Sequence, residues 1–225
     1  MVAPPVDLIV PMKPPRAGKS RLRGALDYPA DDEKHAELVL ALASDTLAAA
    51  TSAPGVRRVL VVATDPGTLD SLRWLGVEIT REPAVTGTTG ITGITGLNAA
   101  LRHGESLLRR DDPAAMIGAL QADLPALRAN ELAAALAEAG GRRAFSADRQ
   151  GTGTTLLLSA PGAPLDPRFG VGSADAHAQS GASALQLAAP SLRSDVDTPG
   201  DLSHACSLGV GKHTAAILGA RSLPL

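Results

Sequence analysis

Two acidic stretches carry most of the chemical promise in this chain. In Met116-Ile117-Gly118-Ala119-Leu120-Gln121-Ala122-Asp123-Leu124-Pro125 an apolar run stops at a polar tip bearing Asp123. Pro125 has no N–H and ends any central strand pairing there. In Ser194-Asp195-Val196-Asp197-Thr198-Pro199, strand alternation turns Asp195 and Asp197 to one side. Mg²⁺ prefers hard oxygen ligands, typically one or two carboxylates plus substrate phosphates. Asp195 and Asp197 opposite Asp123 could therefore hold one or two such ions. The plainer role of the second stretch is to cap a helix beginning at Pro199, which Asp197 or Thr198 suits.

Cations and hydroxyls cluster elsewhere. The segment Lys13-Pro14-Pro15-Arg16-Ala17-Gly18-Lys19-Ser20-Arg21-Leu22 reads as a basic loop, broken by prolines and glycine. Alone it is most simply a solvated surface loop. Yet Lys13, Lys19 and Arg21 together can neutralise a triphosphate and stabilise departing pyrophosphate. Gly18-Lys19-Ser20 imitates the end of a Walker A motif but lacks the glycine required where Lys13 stands. In Asp148-Arg149-Gln150-Gly151-Thr152-Gly153-Thr154-Thr155, glycines let backbone approach a ligand and hydroxyls can donate to a carboxylate or phosphate. A hairpin turn accounts for those glycines equally well. Pro167-Arg168-Phe169-Gly170-Val171-Gly172-Ser173 is a further loop with a cation and a hydroxyl, Phe169 being its anchor. Asn98, at the start of a helical stretch, either caps it or faces a base or ribose. Trp74 and Cys206 read as core. Of the histidines only His177, close to Ser173, has site potential.

The elements that must position these residues alternate. Strands are expected at 6–12, 56–64, 77–80 and 116–123, and helices at 31–50, 68–75, 97–110 and 131–139, the last capped by Asn130. Such alternation argues for a parallel sheet with helices on both faces. Ligands in these sheets bind beyond the carboxyl ends of the strands, where Lys13 and Asp123 both fall. After Gly140 the pattern changes to strands at 144–147 and 154–159, a loop at 165–173, a strand at 192–196 and a helix at 199–208. This predicts an α/β chain with a mostly parallel mixed sheet, one domain with its core at 6–210.

Composition narrows the function. Aromatic residues make up 2% of the chain, too few for a stacking platform for single-stranded nucleic acid. The net charge of -2, without long runs of one sign, favours neither nucleic acid nor a membrane surface as partner. The one cysteine can build neither an internal disulfide nor a zinc site. With no long apolar stretch, the expected setting is the cytoplasm.

Taken together and in this order, the motifs resemble the phospholactate/phosphoenolpyruvate guanylyltransferases of deazaflavin (coenzyme F-420) biosynthesis. The resemblance runs from Leu8 to about Val210. It rests on Lys13 with Lys19-Ser20-Arg21-Leu22, Gly96-Leu97-Asn98, Asp123-Leu124-Pro125-Ala126-Leu127, Asp148-Arg149 with Gly151-Thr152-Gly153-Thr154, Arg168-Phe169-Gly170 with Ser173, and Asp195-Val196-Asp197-Thr198-Pro199. It implies a GT-A-like (Rossmann-like) nucleotidyltransferase fold and Mg²⁺-dependent transfer of GMP from GTP to an enolpyruvyl or lactyl phosphate. Asp123, Asp195 and Asp197 would hold the metal and, with Lys19, form the catalytic set. Lys13, Lys19, Arg21 and Asn98 would bind the nucleotide. Thr154, Gly170 and Ser173 would bind the acceptor, phosphoenolpyruvate in preference to 2-phospho-L-lactate. The next pathway enzyme is a candidate transient partner. The chain departs from the family at 86–96, a Gly/Thr-rich run where relatives carry an acidic or polar loop, which leaves the guanine contacts open. Two other readings compete: a transferase acting on a sugar phosphate, and a non-catalytic nucleotide-binding protein.

Overall fold

The computed structural model describes residues 4–16, 19–22, 32–82 and 96–219. Asp31 and residues 86–95 of the Gly/Thr-rich run lie outside them.

Seven strands form one sheet: β1 (Val6–Met12), β2 (Val56–Ala63), β3 (Glu78–Arg81), β4 (Met116–Leu120), β5 (Ala144–Ala147), β6 (Thr154–Leu158) and β7 (Ser183–Ala184). Their order is β3-β2-β1-β4-β6-β5-β7. β1 pairs in parallel with β2 and β4, and β2 with β3. β6 runs antiparallel to both β4 and β5. The sheet is thus mixed, with its reversal in the C-terminal half, as the sequence pattern requires.

The apolar runs of the parallel strands follow from cover on both faces. On one face Leu8, Val10, Val59 and Val61 pack with Ala43, Leu47 and Ala50 of α1 (Asp32–Ser52) and with Leu132, Ala135 and Leu136 of α3 (Ala129–Ala139). On the other, Ile9, Leu60 and Val62 meet Ala100, Leu101 and Leu108 of α2 (Leu97–Asp111). β1 lies between β2 and β4, so connections leave it in both directions. That is the switch point at which ligands bind in such sheets. At the opposite end of β1, fully buried Asp7 accepts two 2.7 Å hydrogen bonds from Arg57, which also reaches Asp112 at 2.8 Å. A buried carboxylate needs such a partner, and this one locks β1, β2 and the end of α2.

Several expectations need correction. Residues 192–196 form no strand: the backbone turns at 191–193, and the segment's one sheet-like contact is Val196 N–H donating to Asp123 O at 3.0 Å. The helix expected at 68–75 is present, as a 3₁₀ helix over 66–75 that ends at Gly76. Asn130 does not cap α3, because Arg128 stands at the cap and its carbonyl accepts from Glu131 and Leu132. Trp74 is 62% exposed, its ring tilted against His213 at 5.5 Å with Lys212 above it. Cys206 is exposed too, Ala205 taking the buried position beside it. Two helices are additional: α4 (Ser173–Gln179), and α6 (Lys212–Gly219), which follows α5 (Pro199–Leu208). Asp45 of α1 accepts from the N–H groups of His213 and Thr214, capping α6 and fastening it to α1. Among the described residues no helix is long and apolar enough to cross a membrane.

Gly104 lets α2 lie close on the sheet. A β-carbon there would stand 2.8 Å from Ile9 Cγ2 and 3.1 Å from Val62 Cγ2. Both neighbours are buried and stiff at χ1. We therefore expect Gly104→Leu to lower stability by about 1–3 kcal/mol, the usual cost of overpacking, read as a lower midpoint in urea denaturation.

Candidate active site

A cleft of about 520 Å³ opens at the switch point. Pro11, Met12 and Lys13 line it from the end of β1, and Gln121, Ala122 and Asp123 from the segment after β4. Lys19, Arg21, Gly96, Leu97 and Asp197 complete its polar and loop walls. The structure thus gathers five of the expected site residues, Lys13, Lys19, Arg21, Asp123 and Asp197, around one space.

Backbone hydrogen bonds fix Asp123. Gln121 N–H donates to Thr155 O at 3.0 Å, Leu124 N–H to Thr46 Oγ1 at 2.9 Å, and Gly211 N–H to Pro125 O at 2.8 Å. Thr46 is a buried residue of α1 whose hydroxyl donates to Leu42 O while accepting from Leu124. Sequence reading passed over it because a threonine inside a helix carries no local sign of a tertiary partner. Asp197 is placed by the Val196–Asp123 hydrogen bond and by the capping box of α5, in which Thr198 and Asp201 bond reciprocally. Leu22 anchors the basic loop, packing with Leu38 and Leu42 of α1, Val196, and Leu202 and Ala205 of α5. One apolar cluster therefore ties together the chain segments that bear Lys19 and Asp197.

At the floor of the cleft the Lys19 ammonium bonds to Asp123 Oδ2 and, at 2.5 Å, to Asp197 Oδ1. The backbone of Lys19 sits in the left-handed region at φ 53°. For a non-glycine residue this costs on the order of 1–2 kcal/mol, a strain that tends to persist at functional sites. The side chain of Asp197 is 55% exposed, whereas Asp123 is buried. Asp195 is half-buried. Burial first, then the charge of Asp197, raises its carboxyl to about pKa 6, against the pull of Lys19.

These residues fit a divalent cation in one respect and depart from the expected cage in another. Asp123 Oδ1 is buried yet accepts no hydrogen bond from any described residue. A carboxylate oxygen in that condition costs free energy unless something positive meets it. Two hard carboxylates already share a cation in Lys19. Among the described residues, however, no three acidic, histidine or cysteine side chains are gathered as a metal cage. The ammonium stands between Asp123 and Asp197, where the family resemblance implies a metal.

The expected acceptor residues lie next to this cleft, not in its wall. Thr154 begins β6, and its hydroxyl lies 2.9 Å from His177 Nδ1 and 3.2 Å from Ser173 Oγ. The His177 Nε2 accepts from Arg168 N–H at 2.9 Å. Gly170 adopts φ 144°, a conformation side chains rarely allow. Asp148 shapes the preceding turn by accepting from the N–H groups of Thr152 and Gly153. Asn98 joins the two regions: its amide donates to Phe169 O and accepts from Phe169 N–H, each at 2.9 Å. It is not the helix cap, a position that Gly96 holds. Both of its polar atoms are engaged by the loop rather than by the cleft, so the expected base or ribose contact is not what the side chain makes here.

Comparison with known proteins follows the same lines. No protein-family model matches the chain. A phosphoenolpyruvate guanylyltransferase from Geodermatophilus obscurus is 48% identical over 221 residues, covering 96% of this chain and 95% of that protein. The chain belongs to the phosphoenolpyruvate guanylyltransferase family. Members from Streptomyces scabiei and Salinispora arenicola are 48% and 46% identical, with 96% and 94% of this chain and 97% and 92% of theirs covered. Among solved structures, one named a nucleotide-diphospho-sugar transferase from Desulfovibrio desulfuricans superposes with a TM-score of 0.67 at 16% identity, covering 96% of this chain and 94% of that one. A 4-diphosphocytidyl-2C-methyl-D-erythritol synthase does so with 0.56 at 15%, covering 92% and 99%. The guanylyltransferase family member described here has their fold, a GT-A-like nucleotidyltransferase fold.

His177 gives the structure a measurable acid sensitivity. Its ring is fully buried. Burial above all, with Arg143 adding like charge, pushes its pKa from 6.5 down to about 4; Asp166 opposes and Arg168 assists. Between those values the unfolded chain binds a proton that the folded chain refuses. Stability is therefore full above pH 6.5 and falls as the pH drops towards 4, by about 3 kcal/mol in all. Denaturant titrations from pH 7 to pH 4 are expected to show this component in the native chain and to lack it in His177→Gln.

Proposed function

We propose that the chain transfers GMP from GTP to phosphoenolpyruvate, giving enolpyruvyl-diphospho-guanosine and pyrophosphate, as a step of coenzyme F-420 biosynthesis. Membership of the family supports this reading. The observation that carries it is the cleft in which Lys13, Lys19 and Arg21 surround Asp123 and Asp197.

In the reaction an oxygen of the acceptor phosphate attacks the α-phosphorus of GTP. A P–O bond forms there, the bond to the β-phosphate oxygen breaks, and pyrophosphate leaves with the electron pair. A phosphomonoester is anionic at neutral pH, so the site needs no general base. What it needs is relief of repulsion between two anions and in-line positioning. Lys13 and Arg21, exposed at the cleft, take the β- and γ-phosphates. Lys19, half-buried on the two carboxylates, supplies positive charge nearer the reacting phosphorus. Asp123 and Asp197, with Asp195 beside them, would hold Mg²⁺, whose contribution when bound is to neutralise and align phosphate oxygens. Thr154, Gly170 and Ser173 orient the acceptor. A sugar acceptor is less well served, since such sites favour a stacking aromatic and the described cleft is lined by none.

The test is incubation with GTP, Mg²⁺ and either phosphoenolpyruvate or 2-phospho-L-lactate, followed by mass analysis of the nucleotide. A product from phosphoenolpyruvate is expected. A product from 2-phospho-L-lactate alone would reassign the acceptor, and GTP binding without pyrophosphate release would make the protein non-catalytic. Chelation of the metal is expected to stop turnover. Asp197→Ala is expected to lower kcat by roughly 100-fold or more, while loss of its half-exposed ion pair with Lys19 changes stability by no more than about 1 kcal/mol. Near-normal pyrophosphate release by that variant would remove Asp197 from the catalytic set.

A further inference from the structure

The buried histidine of the acceptor region has a determined protonation pattern. Arg168 N–H points at His177 Nε2 at 2.9 Å, and a backbone N–H can only donate. The Nε2 atom is therefore the bare nitrogen. In a neutral ring, the state that burial enforces, the proton then belongs to Nδ1. Nδ1–H donates to Thr154 Oγ1 at 2.9 Å. Phe169 packs edge-on against the ring at 5.0 Å and Phe145 lies 6.1 Å away, so the imidazole is held in place as well as in tautomer.

Counting protons gives the consequence. Thr154 and Ser173 contribute two hydroxyl protons, and their mutual contact at 3.2 Å uses one. Since Nδ1–H already fills the contact between His177 and Thr154, neither hydroxyl is needed there. One O–H of the pair is left to donate outward, whichever way the Thr154–Ser173 bond runs. Under the other tautomer Thr154 would spend its proton on the ring, Ser173 would spend its own on Thr154, and the pair would have nothing to give.

We propose that His177 is a positioning residue that makes the Thr154–Ser173 pair a net hydrogen-bond donor to an anionic oxygen, carboxylate or phosphate, of the acceptor. The same ring holds the Pro167–Arg168 peptide through its N–H and the Phe169 ring by edge contact, and so sets the loop that leads through Gly170 to Ser173. His177 touches neither substrate; it acts through the two hydroxyls. This rests on the acceptor assignment proposed above.

Two measurements on the full chain test it. In ¹⁵N NMR of the imidazole, Nδ1 is expected to show the shift of a protonated nitrogen and Nε2 that of a bare one at neutral pH, with phosphoenolpyruvate absent or present. The reverse pattern would overturn the proposal. In steady-state kinetics, His177→Leu removes both ring contacts and is expected to raise KM for phosphoenolpyruvate at least tenfold with KM for GTP unchanged. His177→Gln, whose amide can both donate and accept, is expected to restore most of that loss. Ser173→Ala and Thr154→Val separate the two layers of the argument. If they raise the acceptor KM while both His177 variants leave it alone, the positioning role is wrong and the acceptor site stands. If neither hydroxyl variant moves the acceptor KM, both readings fall. Equal rises in the two substrates' KM values for His177→Gln would indicate a general structural role and would also overturn the proposal.

Discussion

Two carboxylates from distant parts of the chain share one ammonium, and the rest of the cleft is arranged so that this can happen. Asp123 and Asp197 repel each other unless a cation stands between them, the more so because Asp123 is removed from water. Lys19 provides that cation from a loop whose backbone is itself strained at this residue. The strained loop is held against α1 and α5 by the apolar cluster of Leu22 with Leu38, Leu42, Val196 and Leu202. Burial of a leucine contributes on the order of 1.5–3 kcal/mol, enough to offset the strain. The same arrangement is suited to receiving phosphates, because a cationic rim above a cation-bridged acidic floor can redistribute its charges when a polyanion enters.

Much of this was readable in the amino-acid order, for identifiable reasons. The strands at 6–12 and 56–63 are continuous apolar runs, and the long helices have a regular apolar face, Leu38, Leu42, Leu47 and Ala50 in α1 among them. These signals are local and repeat over many residues. What escaped is short or depends on distant partners. α4 and α6 are too brief for a periodic pattern to stand out; β7 has two residues. The segment at 192–196 alternates like a strand, but its hydrogen-bonding groups mostly find partners outside the sheet: Ser194 Oγ donates to Pro190 O, and Arg193 reaches Asp148 O. Hydrophobicity alone places Trp74 in the core, yet a ring tilted against His213 under Lys212 can remain at the surface.

The site shows the same division. Residue types and their places at strand ends pointed to Lys13, Lys19, Arg21, Asp123 and Asp197, because carboxylates and cations at the ends of apolar runs are conspicuous. Their mutual geometry was not legible. Nothing in the order of residues says that Lys19 would sit between two aspartates, that Thr46 would hold the backbone beside Asp123, or that both polar atoms of Asn98 would be taken by Phe169. Each of these depends on contacts between residues far apart in sequence.

The reversed direction of β6 has an evolutionary corollary. Because β6 runs against β4, its first residue, Thr154, arrives at the same rim of the sheet that β1 and β4 reach with their last ones. The half of the rim bearing Lys13 and Asp123 and the half bearing Thr154 and Ser173 thus come from separate stretches of chain, joined through the β4–β6 ladder, the Gln121–Thr155 bond, Asn98 and Arg149. Changes in the turn at 148–153 or the loop at 165–172 are nevertheless passed to the other half, the first through Arg149 to Asp201 of the capping box beside Asp197, the second through Phe169 to Asn98. Such coupling leaves a lineage little room to diversify one partner of a two-substrate reaction without adjusting the other.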